Sequence, residues 1–168
     1  MFTFRSHITY EIYMEKNLRF QRKNASSNAS VGREFEVWAE QYFAQAEGLD
    51  LTRNFKLSIG AGEVKKEHNF DLGCDYDAKK ILVECKSHTW TDSGKVPSAK
   101  LTVWNEAMLY FLLAPSEYRK IMFVQKDFNS KLKKTLAQYY LQRYSHLIPE
   151  DVELWEYDVV SHKPTRLR

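Results

Sequence analysis

The chain has 168 residues, 43% of them hydrophobic and 14% aromatic, which is enough to bury a sizeable core within one domain. Its formal charge of +3 is compatible with a polyanionic partner without demanding one. No apolar run approaches the length of a membrane span, and Met1-Phe2-Thr3-Phe4-Arg5 lacks the basic-then-apolar order of a secretory signal, so a cytoplasmic protein with no membrane attachment is expected.

Residues 1–29 read as an appended N-terminal arm. Phe2 to Tyr13 is aromatic and strand-compatible, Lys16 to Lys23 is basic, and Asn24 to Ala29 is a polar linker. Residues 30–168 read as a single domain. Ser30 is placed to cap a helix from Val31 to Glu47 that Gly48 stops. Phe35, Trp38, Ala39, Tyr42, Phe43 and Ala46 fall on one stripe at helical spacing, the expected core face. Glu36 lies at the edge of that stripe, above Gly32, from where it can reach a site on a sheet. Glu34 flanks the opposite edge and Glu40 points further toward solvent.

Leu51 to Ile59 is a predicted strand, and Gly60-Ala61-Gly62 turns the chain into Glu63 to His68. Asn69 to Trp90 follows as a predicted hairpin. Phe70, Leu72, Cys74 and Tyr76 alternate with Asn69, Asp71, Gly73 and Asp75, while Ile81, Val83 and Cys85 alternate with Leu82, Glu84 and Lys86. Each strand then has an apolar face and a charged face. With Asp77 to Lys80 as the connector and Tyr76 opposite Ile81, Asp71 is expected opposite Lys86, and Gly73 is expected to leave open space across from Glu84. Asp75, opposite Leu82 and nearer the turn, is a reserve carboxylate. Cys74 and Cys85 fall on the apolar side as packing residues, and the five histidines show no zinc-type pairing.

A polar loop, Thr91 to Pro97, leads to the most apolar segment, Ser98 to Ala114, a predicted buried helix closed by Pro115. Lys120 to Gln125 is a short strand. Ser130 is placed to cap a helix to about Leu147 with the core stripe Leu132, Leu136, Tyr139, Tyr140 and Leu147, and with Lys131, Lys133, Lys134 and Arg143 on its other faces. Val152 to Val160 reads as an edge strand, and His162 to Arg168 as a frayed basic tail.

The chemistry concentrates on the hairpin. In a strand only alternate side chains share a face, so a carboxylate and an amine that work together must stand two apart, as Glu84 and Lys86 do. Asp71 and Glu84, with the backbone carbonyl of Cys85, form a hard-oxygen set suited to magnesium. Lys86 is placed to orient an attacking water or to stabilise charge on a phosphodiester. Between two carboxylates it stays protonated without metal, which favours an electrostatic role. The plainer account is an ordinary exposed hairpin with Asp71 and Lys86 paired across strands. Lys86, His88 and Trp90 share a face if the strand persists, with Lys95 and Lys100 flanking the loop beyond, placed to contact phosphate or a base; the plainer account is that His88 and Trp90 finish the strand and cover the core edge.

Gly32-Arg33-Glu34-Phe35-Glu36 on the first helix, Phe70-Asp71-Leu72 on one strand and Val83-Glu84-Cys85-Lys86-Ser87 on the next, in this order of elements, resemble the PD-(D/E)XK nuclease superfamily between about Val31 and Val124. The resemblance implies an α/β, restriction-endonuclease-like core, a mixed central β-sheet flanked by α-helices, in the order α-β-β-β-α-β-α-β. It implies that Asp71 and Glu84 bind magnesium, with manganese as a substitute, that Lys86 assists phosphodiester hydrolysis, and that Glu36 of a Gly-x-x-x-Glu setting joins them. Phe70 stands where the superfamily's name has proline. No Gln-x-x-x-Tyr motif such as exonuclease members often carry is present, which tilts the expectation to a DNA endonuclease, restriction-like or structure-specific. With one site per chain, a symmetric homodimer is the simplest way to cut both strands, a geometric expectation only. The alternative is a catalytically silent nuclease-fold subunit for nucleic-acid binding or assembly. A two-carboxylate glycosidase fits less well, because Lys86 suits phosphate better than sugar.

Overall fold

The computed structural model describes residues 28–76 and 79–168. Residues 1–27 of the expected arm, and Asp77 and Ala78 of the expected connector, lie outside the described residues. The chain divides into two units, Met1–Glu34 and Phe35–Arg168, and the second carries every element beyond the first turns of the first helix.

That helix, α1 (Asn28–Glu47), starts ahead of the expected Ser30 cap. It stops where predicted, at Gly48, whose φ of +63° is open to glycine at little cost. The Leu49 N–H reaches back to the Phe43 carbonyl at 3.1 Å, closing the helix end. Phe35, Trp38, Ala39 and Phe43 are buried as the stripe requires, whereas Ala46 is exposed.

The strands β1 (Thr52–Ile59), β2 (Lys66–Tyr76), β3 (Lys79–Lys86), β4 (Arg119–Gln125), β7 (Val152–Asp158) and β8 (Lys163–Arg166) form one six-stranded mixed sheet in the order β1-β2-β3-β4-β7-β8. β3, β4 and β7 are parallel, and the remaining neighbours are antiparallel. Helix α2 (Ser98–Leu113) carries the crossover from β3 to β4. Ala114, forced to an extended ψ of 146° by the proline after it, ends that helix. The small hairpin β5 (Phe128–Asn129) with β6 (Lys134–Thr135), and helix α3 (Leu136–Tyr144), carry the crossover from β4 to β7.

Alternation along β4 sorts the helices onto the two faces of the sheet. Phe123 stacks with Phe35 and Tyr42 of α1 at ring separations of 5.7 and 5.8 Å. Met122 and Val124 point the other way, into a core shared by Leu101, Trp104, Met108 and Phe111 of α2, Leu136 and Tyr140 of α3, and Phe70, Leu82 and Leu154 of the sheet. Arg119 fastens α1 to the sheet by bonding Glu47 at 2.5 Å and Glu153 at 2.9 Å.

Several expectations are corrected. The β2–β3 register sets Cys74 opposite Ile81 and Gly73 opposite Leu82, because Lys79 and Lys80 are strand residues and the connector is two residues shorter than expected. Asp71 is therefore not opposite Lys86, and the space at Gly73 is not open. A Cβ there would stand 2.6 Å from the Phe55 ring, so glycine is what lets β1 lay its phenylalanine on β2. The charged face of β3 is not a solvent face, since Leu82 is fully buried and Glu84 is 5% exposed.

Helix α2 buries one side only, and Val103, Leu109 and Leu112 are exposed. Helix α3 begins at Leu136, not after Ser130. A capping box between Thr135 and Gln138 starts it, and Leu132 and Leu147 of the expected stripe are exposed. β7 is an interior strand, because the tail expected to fray pairs with it as β8. No helix among the described residues is long and apolar enough to cross a membrane.

Candidate active site

Strict alternation along β2 would send His68 and Asp71, three residues apart, to opposite faces. Yet both reach the Glu84–Lys86 pair on β3, His68 at Glu84 and Asp71 at Lys86. His68 Nε2 lies 3.3 Å from Glu84 Oε1, and Lys86 Nζ lies 2.6 Å from Glu84 Oε2 and 3.8 Å from Asp71 Oδ2. The strand must slip between His68 and Asp71, and its neighbour marks where. Asn54, which the β1–β2 register would set against Asp71, has a left-handed φ of +51° and is skipped in the ladder. On either side of it, Arg53 turns to Glu40 of α1 while Phe55 joins the α2-side core. Such local breaks re-aim a side chain, and here they turn Asp71 onto the α2 side with Glu84 and Lys86.

The β2–β3 ladder runs only to Leu72 opposite Val83. Past it, the Asp71 carboxylate takes the place of a backbone acceptor, with Cys85 N–H donating to Oδ2 at 2.7 Å. A strand residue's N–H and C=O point to the same side, so the Cys85 carbonyl also faces β2, where the ladder has opened. Meanwhile β3 stays paired to β4 as far as Lys86 opposite Val124. One side of the strand is held and the other is free to present ligands.

Burial and mutual charge drive the two carboxylates apart. Asp71 is pushed up to about 6 by desolvation and by the Glu84 charge, against the pull of Lys86 and the Cys85 N–H, with Glu36 adding a smaller push. Burial also acts to raise Glu84, but the hydrogen bond to His68 and the charge of Lys86 outweigh it and hold Glu84 below the usual carboxylate range. For Lys86, desolvation is overcome by Glu84 and Asp71, so the ammonium is held above its ordinary value. Divergent acidities on neighbouring groups are the pattern of acid–base sites. Burial raises the Cys85 thiol well above its ordinary value and leaves it unreactive.

The structure brings together Asp71, Glu84, Lys86 and the Cys85 carbonyl, and it sets Glu36 within electrostatic range of Asp71. His68 was missed by sequence reasoning. Its stacking on Tyr110 at 3.8 Å and its bond to Glu84 depend on the slip in β2, which period-two counting does not contain. Asp75 is set apart. It faces Lys80, accepts from the Tyr118 hydroxyl at 2.5 Å and lies toward the turn.

β3 ends at Lys86, so His88 and Trp90 do not continue its face. Trp90 is buried, with its backbone and indole N–H groups both donating to Asp127. His88 Nδ1 accepts from the Trp104 indole at 2.8 Å. Since an indole nitrogen only donates, His88 is held neutral with its proton on Nε2. Burial, with Lys100 and Lys86 nearby, lowers it to about 4. Lys95 and Lys100 are exposed.

Among the described residues no group of three or more His, Cys, Asp or Glu side chains is arranged to hold a metal. Magnesium needs less, usually one or two carboxylates with water. Asp71, Glu84 and the Cys85 carbonyl meet that requirement, and the Lys86 ammonium between the two carboxylates already stands where positive charge is called for. Comparison with protein-family models, with curated proteins and with solved structures returns no match for this chain.

Proposed function

We propose that this chain is a metal-dependent nuclease that hydrolyses phosphodiester bonds, a DNA endonuclease built on a restriction-endonuclease-like core. The observation that carries the reading is the Lys86 ammonium bridging Asp71 and Glu84 at the point where the β2–β3 ladder opens. Two hard carboxylates beside a protonated lysine, largely out of water, suit a phosphodiester, whose transition state is anionic. A glycosidase pair would have no use for the lysine.

Asp71, Glu84 and the Cys85 carbonyl would hold magnesium or manganese, with Glu36 on the α1 side contributing to the field. When bound, the ion supplies Lewis acidity, lowering the pKa of a water and offsetting phosphate charge. The protein's own groups do the positioning. Cys85 N–H fixes one Asp71 oxygen, and His68 fixes one Glu84 oxygen and leaves the other to Lys86. Lys86, protonated and raised, is a hydrogen-bond donor to a phosphate oxygen or to the attacking water, and not a resting base. Water adds to phosphorus, the P–O bond to the leaving oxygen breaks, and that oxygen takes up a proton. One such site serves one strand, so cutting both strands of a duplex calls for a symmetric pair of chains.

Cleavage of plasmid, linear and branched DNA, and of RNA, with magnesium or manganese tests the reading beside Lys86→Ala and Glu84→Ala. The native chain is expected to cut circular DNA and both variants to lose it. A native chain that cuts nothing, or variants that cut as well as it does, would overturn the assignment and leave the silent nuclease-fold subunit as the better account.

A further inference from the structure

The segment between β4 and α3 is built more tightly than a connection requires. Leu136 N–H bonds the Asp127 carbonyl at 3.0 Å and closes its base. Asn129, 6% exposed, accepts from the Lys131 and Leu132 N–H groups through Oδ1 and donates through Nδ2 to the Gly94 carbonyl at 3.0 Å. That last bond ties the hairpin to the loop after β3. Lys133 turns the tip with a φ of +53°, and the Thr135–Gln138 capping box anchors the far strand to α3.

This rigid scaffold nevertheless holds apolar side chains in water, with Phe128 56% and Leu132 43% exposed. Lys131 and Lys133 beside them are exposed too, and neither has an ion pair or side-chain hydrogen bond among the described residues. Lys134, by contrast, is engaged with Gln142. From Phe128 to Thr135 there is no carboxylate. An exposed aromatic ring with unpaired lysines on a pre-ordered hairpin matches single-stranded nucleic acid, whose bases present flat faces and whose backbone presents charge.

The position fits as well. β3 and β4 are parallel with Lys86 opposite Val124, so Lys86 and the start of the hairpin lie at the same end of the sheet, beyond the C-terminal ends of these strands. Phe128 follows four residues after Val124, within about 15 Å of it by chain length. Resting on the nuclease reading for the site itself, we propose that the β5–β6 hairpin grips an unpaired stretch of nucleic acid beside the cut. Phe128 stacks on a base, and Lys131 and Lys133 contact the flanking phosphates. The preferred substrate is then a single strand or a fork, and not a fully paired duplex.

Fluorescence anisotropy of the full chain in EDTA, where no cutting occurs, with a labelled single strand, a fork and a duplex tests this. The native chain should bind single strand and fork more tightly than duplex. Phe128→Ala should lose about ten-fold on the single strand with duplex binding unchanged. Lys131→Ala with Lys133→Ala should reduce the slope of log affinity against log salt by about 1.4, two phosphate contacts' worth. All three positions are exposed, and unchanged thermal midpoints confirm that the variants fold. A native preference for duplex, or variants that bind single strand as the native chain does, would overturn the hairpin assignment even if magnesium-dependent cutting of plasmid is intact. Hairpin-dependent binding in a chain that never cuts with magnesium or manganese would sink the nuclease reading and leave the hairpin standing. A chain that binds none of the three overturns both.

Discussion

The β2–β3 hairpin carries two carboxylate–lysine pairs, and they behave oppositely. Near the turn, Asp75 faces Lys80 in a regular ladder position. It is exposed, accepts from Tyr118, and is held below its ordinary value chiefly by that hydrogen bond. At the other end, Asp71 stands by Lys86 and is pushed up to about 6. Residue types, strands and sign of charge are the same. The difference is water and a second anion. Where the ladder is closed and solvated, a lysine simply neutralises an aspartate. Where the ladder opens beneath a helix, Glu84 competes for the same ammonium and desolvation charges both carboxylates a penalty.

The widest separation between the two ends should appear in turnover. Lys86→Ala and Glu84→Ala are expected to lower plasmid cleavage by about 10²-fold or more, while Asp75→Ala stays within about two-fold, measured as initial rates in magnesium. Comparable losses at Asp75 would erase the distinction.

His68→Ala is next, at roughly 10- to 100-fold, the range for a group that orients a metal ligand. The loss should show as a magnesium titration displaced to higher concentration, and His68→Gln should recover part of it. A variant whose magnesium titration overlays the native curve would show that His68 only packs on Tyr110.

Asp71→Asn should divide stability from function. Because the folded-state pKa lies above the ordinary 3.8, the native state binds more protons than the unfolded state between those values. Stability without metal therefore falls as pH rises from about 4 through 6. Removing the charge should raise urea-measured stability at pH 8 by about 1–2 kcal/mol, and should abolish the rise in melting temperature that magnesium gives the native chain. No gain at pH 8 would mean that the site is wetter than the structure has it.

His88 should give the smallest effect. Its folded pKa of about 4 lies below the ordinary 6.5, so the unfolded state binds the extra proton between them. The neutral ring's contribution is complete above pH 6.5 and fades as pH falls toward 4. Partial solvent exposure limits it to about 1 kcal/mol. Comparing His88→Asn with the native chain at pH 7 and pH 4.5 isolates it, with a flatter profile expected in the variant.

The candidate site was legible because period-two spacing in β3 fixes the shared face of Glu84 and Lys86 whatever strand lies beside it. The expected register was wrong by two residues, since Lys79 and Lys80 look like loop and pair as strand. An even error keeps every side chain on its face, whereas an error of one would have turned Asp75 inward and out of phase. What could not be read was non-local. Nothing near His68 announces the slip at Asp71, whose only local trace is a left-handed Asn54 on another strand. The tail looked frayed because its pairing partner, β7, precedes it by a turn that carries no hairpin signature. The start of α3, by contrast, was written in Thr135-Leu136-Ala137-Gln138 and masked by the more conspicuous Ser130 and its lysines.

Cys85 lies between the metal-ligand candidate Glu84 and Lys86, the lysine proposed to act in catalysis, with its backbone bound to Asp71 and its thiol buried on the α1 side, next to Phe123 in the parallel register. A thiol reagent can modify it only when β3 lifts from the sheet. Alkylation kinetics at this one sulfur therefore time the breathing of the candidate site, and a cation seated on the opposite face should slow that clock without touching the reporter.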